Sequence, residues 1–142
     1  MTTTTVYLAT PIDLRRLLFE PPKLPHLAIY RPGWAWFVAD PECQPRSTVQ
    51  EVNQHAVRAC DGLVGVLLAD HPSVGVPVEI EWAVTLGKPV AIVTDLRSKS
   101  WLLPLWGQRS NVTVVDVTAD MVADGVAVGC RWVMARTRLK GS

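Results

Sequence analysis

The sequence predicts an α/β fold: a single domain over 1–142, built on a doubly wound, five-stranded parallel sheet with helices on both faces. Short β-branched or apolar runs alternate with longer segments of helical spacing, the order that right-handed crossovers fold into a parallel sheet. Two of the runs, "GLVGVLLA" and "PVAIVTD", are apolar without alternation, as strands buried on both faces are. The 142 residues, 49% hydrophobic and 19% charged, suffice for one ordinary core.

The elements follow in order. "VYLAT" (6–10) alternates and is β-branched, a first strand. "PIDLRRLLFE" can form a short helix with Pro11 at its first position. "PPKLPHLAIYRPG" reads as a proline-rich connector, and "WAWFVAD" (34–40) is expected to be the second strand. "STVQEVNQHAVRAC" carries Ser47 and, three residues on, Gln50, a capping-box start for a helix. "GLVGVLLA" is the third strand, a helix covers roughly 77–86, and "PVAIVTD" is the fourth strand. "LRSKSWLLPLWGQRS" is irregular or partly helical, and "NVTVVDV" is the fifth strand. "ADMVADGVAVGCRWVMARTRLK" is a final helix with Arg136, Arg138 and Lys140 at its C-terminal end, where cations suit the dipole. This order implies a flavodoxin- or Rossmann-like sheet, whose ligands bind beyond the carboxyl ends of the strands. Thr10–Arg16, Asp40–Glu42, Asp70–Glu79 and Asp95–Trp101 are the segments so placed.

Several chemistries lack their residues. There is no GxGxxG and no GxxxxGK[ST], and His26, His55 and His71 are scattered, so neither a dinucleotide cofactor nor a metal is expected. A formal net charge of +1 gives no field for a nucleic acid polymer or a membrane surface. No apolar run is long enough to span a bilayer, "MTTTT" is not a secretion signal, and three cysteines without CxxC spacing suit reduced thiols; a cytoplasmic location is expected. The six tryptophans suit core or interface positions, and Trp34 or Trp36 could also stack a flat ligand.

The 77–86 helix carries two acids that differ by face. Residues three and four apart share a face. Gly75, Val76, Trp82, Ala83 and Leu86 share that of Glu79, whereas Thr85 and Lys88 share that of Glu81. Glu81 is therefore expected to be solvated, paired with Thr85 or Lys88. Glu79 is expected to point inward, where a carboxylate is costly unless bonded or used.

"PSVGVPVEIEWAVTLGKPV" resembles the signature of the nucleoside 2-deoxyribosyltransferase family and the related 2′-deoxynucleoside 5′-monophosphate N-glycosidases, through Gly75, Glu79, Ile80, Trp82, Ala83, Gly87, Lys88 and Pro89. "YLATP" resembles the family's opening strand and "AVRACDGLVGVL" its helix-to-strand segment. Three positions depart: Glu81 replaces a usual Gly, Asn53 stands where the family usually carries Asp, and Ser73 stands where base-exchanging members often carry Asp.

The resemblance implies cleavage of the N-glycosidic bond of a (deoxy)nucleoside 5′-monophosphate or nucleoside, with Glu79 as nucleophile at C1′. Base exchange and a non-catalytic nucleotide-binding module are the alternatives. Tyr7 either orients Glu79 or packs in the core. Thr10, Pro11 and Asn53 are expected to line the substrate site. Gly75 allows close approach to the sugar or is a plain loop glycine. Ser73 meets a phosphate or caps the helix. Arg15 and Arg16 meet a phosphate or lie on a solvated face. Ser98 reaches the site of a neighbouring subunit or lies in a polar loop. A homodimer or larger assembly is implied, with a small-molecule nucleoside or nucleotide as partner.

Overall fold

The computed structural model describes residues 2–11, 21–31, 46–95 and 102–140, with only the backbone course given at 46–49, 102 and 140. Strands β1 (Thr4–Ala9), β2 (Leu27–Tyr30), β3 (Gly62–Leu67), β4 (Val90–Thr94) and β5 (Val112–Asp116) form one sheet in the order β2-β1-β3-β4-β5. Every pairing is parallel. The described helices are α1 (Arg46–Ala59), α2 (Gly75–Thr85), α3 (Leu102–Gly107) and α4 (Val122–Lys140), the last preceded by a 3-10 turn at Ala119–Met121.

Alternation along the strands sends side chains to two cores. Tyr7, Ala9, Leu63 and Ile92 face one side, where Ala56 and Val57 of α1, Val76, Ile80 and Ala83 of α2, and Leu103 and Trp106 of α3 close over them. Val6, Leu8, Val64, Val66, Ala91 and Val93 face the other, under Val122, Val126, Cys130 and Val133 of α4. The central strand β3 is buried at every position, as its continuous apolar run requires. The doubly wound sheet expected from the sequence is present.

The second strand departs from expectation. It is Leu27–Tyr30, inside the segment read as a proline-rich connector, and it pairs with β1 through Thr4–Leu27 to Tyr7–Tyr30. Four residues give too short an alternation to stand out beside Pro21, Pro22, Pro25 and Pro32, and an edge strand tolerates flanking prolines. The 34–40 segment expected to be this strand lies outside the described residues, as do the helix expected after Pro11, Trp34, Trp36, Arg15, Arg16 and Ser98. α1 begins at Arg46, so Ser47 lies within the helix rather than capping it. The final helix opens as a 3-10 turn, with Thr118 Oγ1 donating to Asp120 at 2.5 Å.

Two anchors place the site helices. Asp61, before β3, accepts from the Thr5 amide through Oδ2 at 2.8 Å, while its own amide donates to the Thr5 carbonyl at 2.8 Å, fixing β3 against β1. At the C-terminus of α2, Gly87 adopts φ 74°, its amide donates to Val84 O at 3.0 Å and the Lys88 amide to Ala83 O at 3.1 Å. That is a Schellman closure, which needs a left-handed residue at this point. Lys88 Nζ donates to the carbonyls of Arg58 and Cys60 at the end of α1, and Asn111 Nδ2 donates to Lys88 O at 2.8 Å. Gly87→Ala is expected to destabilise the fold by about 1 kcal/mol through αL strain, measured as a lowered urea midpoint with an unchanged m-value.

Candidate active site

The strand order changes direction between β1 and β3: the chain leaves β1 for β2 on one side, then crosses to β3 on the other. A crevice at the carboxyl ends of these two strands is where such sheets hold ligands. Thr10 and Pro11, immediately after β1, are buried there, Thr10 with 3% of its surface exposed. The segment after β3 leads through Ser73 into α2, and Ala69 N donates to Asp95 Oδ1 at 2.9 Å, joining the ends of β3 and β4.

Glu79 lies on the buried face of α2, 7% exposed, between Val76, Ile80 and Ala83 in sequence and on the stripe they form. Its Oε1 would lie 3.9 Å from a Cβ built on Gly75, so glycine one turn earlier leaves open the space beside the carboxylate. Ser73 Oγ accepts from the Val76 amide at 3.2 Å. Its hydroxyl thus caps the first turn of α2.

Tyr7 is fully buried near the middle of β1, and its ring stacks on Tyr30 of β2 at 5.5 Å between centroids and 28° between planes. Burial, followed by the charges of Cys60 and Glu79, raises the Tyr30 hydroxyl pKa above its ordinary value. Tyr7 is packed directly against Tyr30. Sequence reasoning missed Tyr30, because its strand was taken for a connector. The signal was present in "LAIY", where Leu27 and Ile29 alternate with Ala28 and Tyr30.

Asn53 lies on the inward stripe of α1, one turn before Ala56 and Val57. It is 9% exposed, and its Oδ1 is buried without a hydrogen-bond partner among the described residues. Because α1 leads directly into β3, its C-terminus is at the amino edge of the sheet. Asn53, six residues before Ala59, is raised from that edge toward the crevice by roughly 9 Å at 1.5 Å per residue.

Glu81 takes a different path. Trp106 Nε1 donates to its Oε2 at 2.8 Å and Thr85 Oγ1 to its Oε1 at 3.3 Å. Of the partners expected from sequence, Thr85 is present, whereas Lys88 is turned to the end of α1. Glu81 thus ties α2 to α3 and borders a groove of about 670 Å³ lined also by Pro77, Val78, Trp82 and Leu105. Where the family signature usually has glycine, this chain has an interhelical strut on the face of α2 away from Glu79.

The described cysteines do not supply a nucleophile at neutral pH. Burial pushes the Cys60 thiol up to about 11 and the Cys130 thiol up to about 12. Only the thiolate attacks. Iodoacetamide at pH 7.5 is therefore expected to leave the Cys60 and Cys130 peptides unmodified in the folded protein and to label both in urea, as read by peptide mass spectrometry. Among the described residues no group of three or more His, Cys, Asp or Glu side chains is arranged to hold a metal ion, and no helix is long and apolar enough to cross a membrane.

Comparison with solved structures adds the fold's relatives. The chain is similar to the CMP N-glycosidase of Clostridium botulinum, at 17% identity and TM-score 0.60, with 88% of this chain and 98% of that one covered. It is similar to a 2-deoxyribosyltransferase of Leishmania mexicana at 16% identity and TM-score 0.50, over 87% and 97% of the two chains. A conserved protein of Enterococcus faecalis V583 aligns at 19% identity and TM-score 0.55, over 89% and 99%. No family model and no curated protein sequence matches the chain. At these identities the likeness shows the fold, and it extends over nearly the whole length of each neighbour.

Proposed function

We propose that this chain is an enzyme of the nucleoside 2-deoxyribosyltransferase kind that cleaves the N-glycosidic bond of a nucleoside 5′-monophosphate. The observation that carries the proposal is the buried carboxylate of Glu79, held on α2 at the carboxyl-end crevice beside Gly75. The names of two structural neighbours, a CMP N-glycosidase and a 2-deoxyribosyltransferase, support the same bond as the target.

In the proposed reaction a Glu79 carboxylate oxygen attacks C1′ of the sugar. The C1′–N bond breaks and its electron pair leaves with the base, which takes up a proton. The positive charge that develops at C1′ is stabilised by the same carboxylate, as in retaining glycosidases. Water then attacks C1′ of the glycosyl ester, giving the sugar phosphate and regenerating Glu79. Tyr7 and Tyr30 wall the carboxylate and limit its positions. Thr10 and Pro11 form the floor beside β1, and Gly75 admits the sugar. Ser73 and the first amides of α2 receive the 5′-phosphate, where a helix N-terminus favours negative charge. Arg15 and Ser98 complete the phosphate and sugar contacts in this reading. The assembled form is a homodimer or larger assembly, which light scattering checks.

Base exchange is the second reading, favoured by the Leishmania mexicana neighbour. Incubation with nucleosides and 5′-monophosphates, with and without a second free base, separates the two by chromatography. The expected result is free base from monophosphates without an added acceptor, with kcat/KM at least about tenfold above that of the matching nucleoside, the value of one charge-assisted contact. Efficient exchange without hydrolysis, or a preference for the free nucleoside, overturns the hydrolase assignment.

A further inference from the structure

We infer that the outer face of α4 is a contact between two copies of this chain, packed antiparallel about a two-fold axis at Val128. The contact stands apart from the reaction proposed above, because α4 covers the sheet face opposite the one that α2 covers.

The pattern is written along the helix. Residues 121, 124, 128, 131, 135 and 138 follow the alternating three- and four-residue spacing of a helix that pairs with another helix. Met121, which closes the 3-10 turn leading into α4, Val128 and Ala135 recur every seventh residue. Asp124, Arg131 and Arg138 recur every seventh residue between them. All six are exposed, Met121 at 46% and Val128 at 50%. This stripe lies opposite the one that Val122, Val126, Cys130 and Val133 send into the core. A lone exposed valine needs no explanation. Apolar residues in heptad register, with charges between them, are the pattern of a seam.

The charges select the partner and its direction. Asp120 and Asp124 lie at the start of the stripe, Arg131 and Arg138 at its end. A parallel pair of α4 helices sets like charge against like. An antiparallel pair centred on Val128 sets Val128 against itself and Met121 against the small Ala135 of the second copy. Asp124 then lies opposite position 132 of the second copy, one residue or about 1.5 Å along the axis from its Arg131. Arg138 lies opposite position 118 of the second copy, two residues from its Asp120. Two-fold symmetry repeats each of these pairs, so the surface is complementary to itself. The two helix dipoles also oppose each other in this arrangement. Charged residues in such a seam cost stability and fix register and direction.

A groove beside the first half of the stripe fits the same register. It has a volume of about 490 Å³ between α4 and the end of β5, with Val115, Val117, Met121 and Val128 among its lining residues. Asp116 and Asp124 line it as well. The antiparallel register lays Ala135 and Arg138 of the second copy along this opening, an apolar floor with the sign of charge that an arginine needs.

The experiment uses the full chain with Cys43→Ser and Val128→Cys, treated with a short bismaleimide. Cys60 and Cys130 are buried and do not compete. A covalent dimer is expected from Val128→Cys. None is expected when Ala123→Cys, exposed on the same helix but off the stripe, takes its place. In the Val128→Cys background, Asp124→Arg or Arg131→Asp alone is expected to raise the protein concentration needed for half-maximal cross-linking by about tenfold or more. Asp124→Arg and Arg131→Asp together restore the opposite charges and are expected to bring that concentration back to within about threefold of the parent. Cross-linking at Val128 reads this face alone, so a contact elsewhere on the molecule does not disturb the result. No covalent dimer from Val128→Cys, or one formed as readily from Ala123→Cys, overturns the inference. So do single charge reversals without effect, or a combined exchange that fails to restore cross-linking.

Discussion

Glu79→Gln is expected to reduce base release on the order of a thousandfold or more, because loss of a nucleophile removes the covalent route altogether. The fold should not suffer. Glutamine keeps the shape of the side chain, so the circular dichroism spectrum is expected to match that of the wild type. Glu81→Gln is the control on the same helix. It weakens the acceptor for Trp106 Nε1 and Thr85 Oγ1 and should lower stability by about 1 kcal/mol with activity largely kept. The contrast matters because the two acids stand two residues apart and differ in surroundings: one in the core stripe, the other in an interhelical strut. Base release from Glu79→Gln at the wild-type rate would refute the nucleophile assignment. A loss in Glu81→Gln as deep as in Glu79→Gln would show that α2 geometry, rather than a specific carboxylate, limits the reaction.

That contrast was legible in the sequence because helical spacing separates faces without any knowledge of neighbours. Glu79 shares a stripe with Val76 and Ala83 whatever packs against it. The partner of Glu81 was not legible, because Trp106 lies 25 residues away on a short helix whose position depends on the sheet. Spacing alone offered Glu81 either Thr85 or Lys88, and Thr85 is the one that bonds it. The turn at Gly87 swings Lys88 to the other side, where it meets the last carbonyls of α1. Buried strands were legible from composition, since β3 and all of β4 before Thr94 lack polar side chains. The edge strand β2 was not: Leu27–Tyr30 has only four residues and none is fully buried, so its pattern is weak and the prolines around it dominate. Tyr30 went unnoticed with it, and so did its ring contact with Tyr7. Asn53 was flagged by resemblance, and its burial is visible only in the fold.

Gly65→Val is expected to damage both the fold and the placement of Glu79. Gly65 lies in β3 beneath α2, and a Cβ built there would fall 2.7 Å from Cδ1 and 2.8 Å from Cγ1 of Ile80, with Leu63 Cδ2 at 3.4 Å. Ile80 is fully buried, so its side chain has no solvent to move into. The clash must be relieved by lifting α2, by an off-rotamer Ile80, or by both, at about 1–3 kcal/mol for an overpacked core. Catalysis should fall further than stability. Ile80 is the residue after Glu79, so any lift of α2 displaces the carboxylate, and misplacement of a reacting group by about 1 Å costs roughly a hundredfold in rate. Base release at a temperature where the variant is fully folded by circular dichroism is therefore expected to drop by about ten- to a hundredfold. A double-mutant cycle identifies the contact responsible. Ile80→Val removes Cδ1, so in the milder Gly65→Ala background it should be less destabilising than in the wild type, giving a coupling of at least about 0.5 kcal/mol. Additive effects of Gly65→Ala and Ile80→Val, or full activity in Gly65→Val, would mean that the close approach of β3 and α2 does not hold the carboxylate in place.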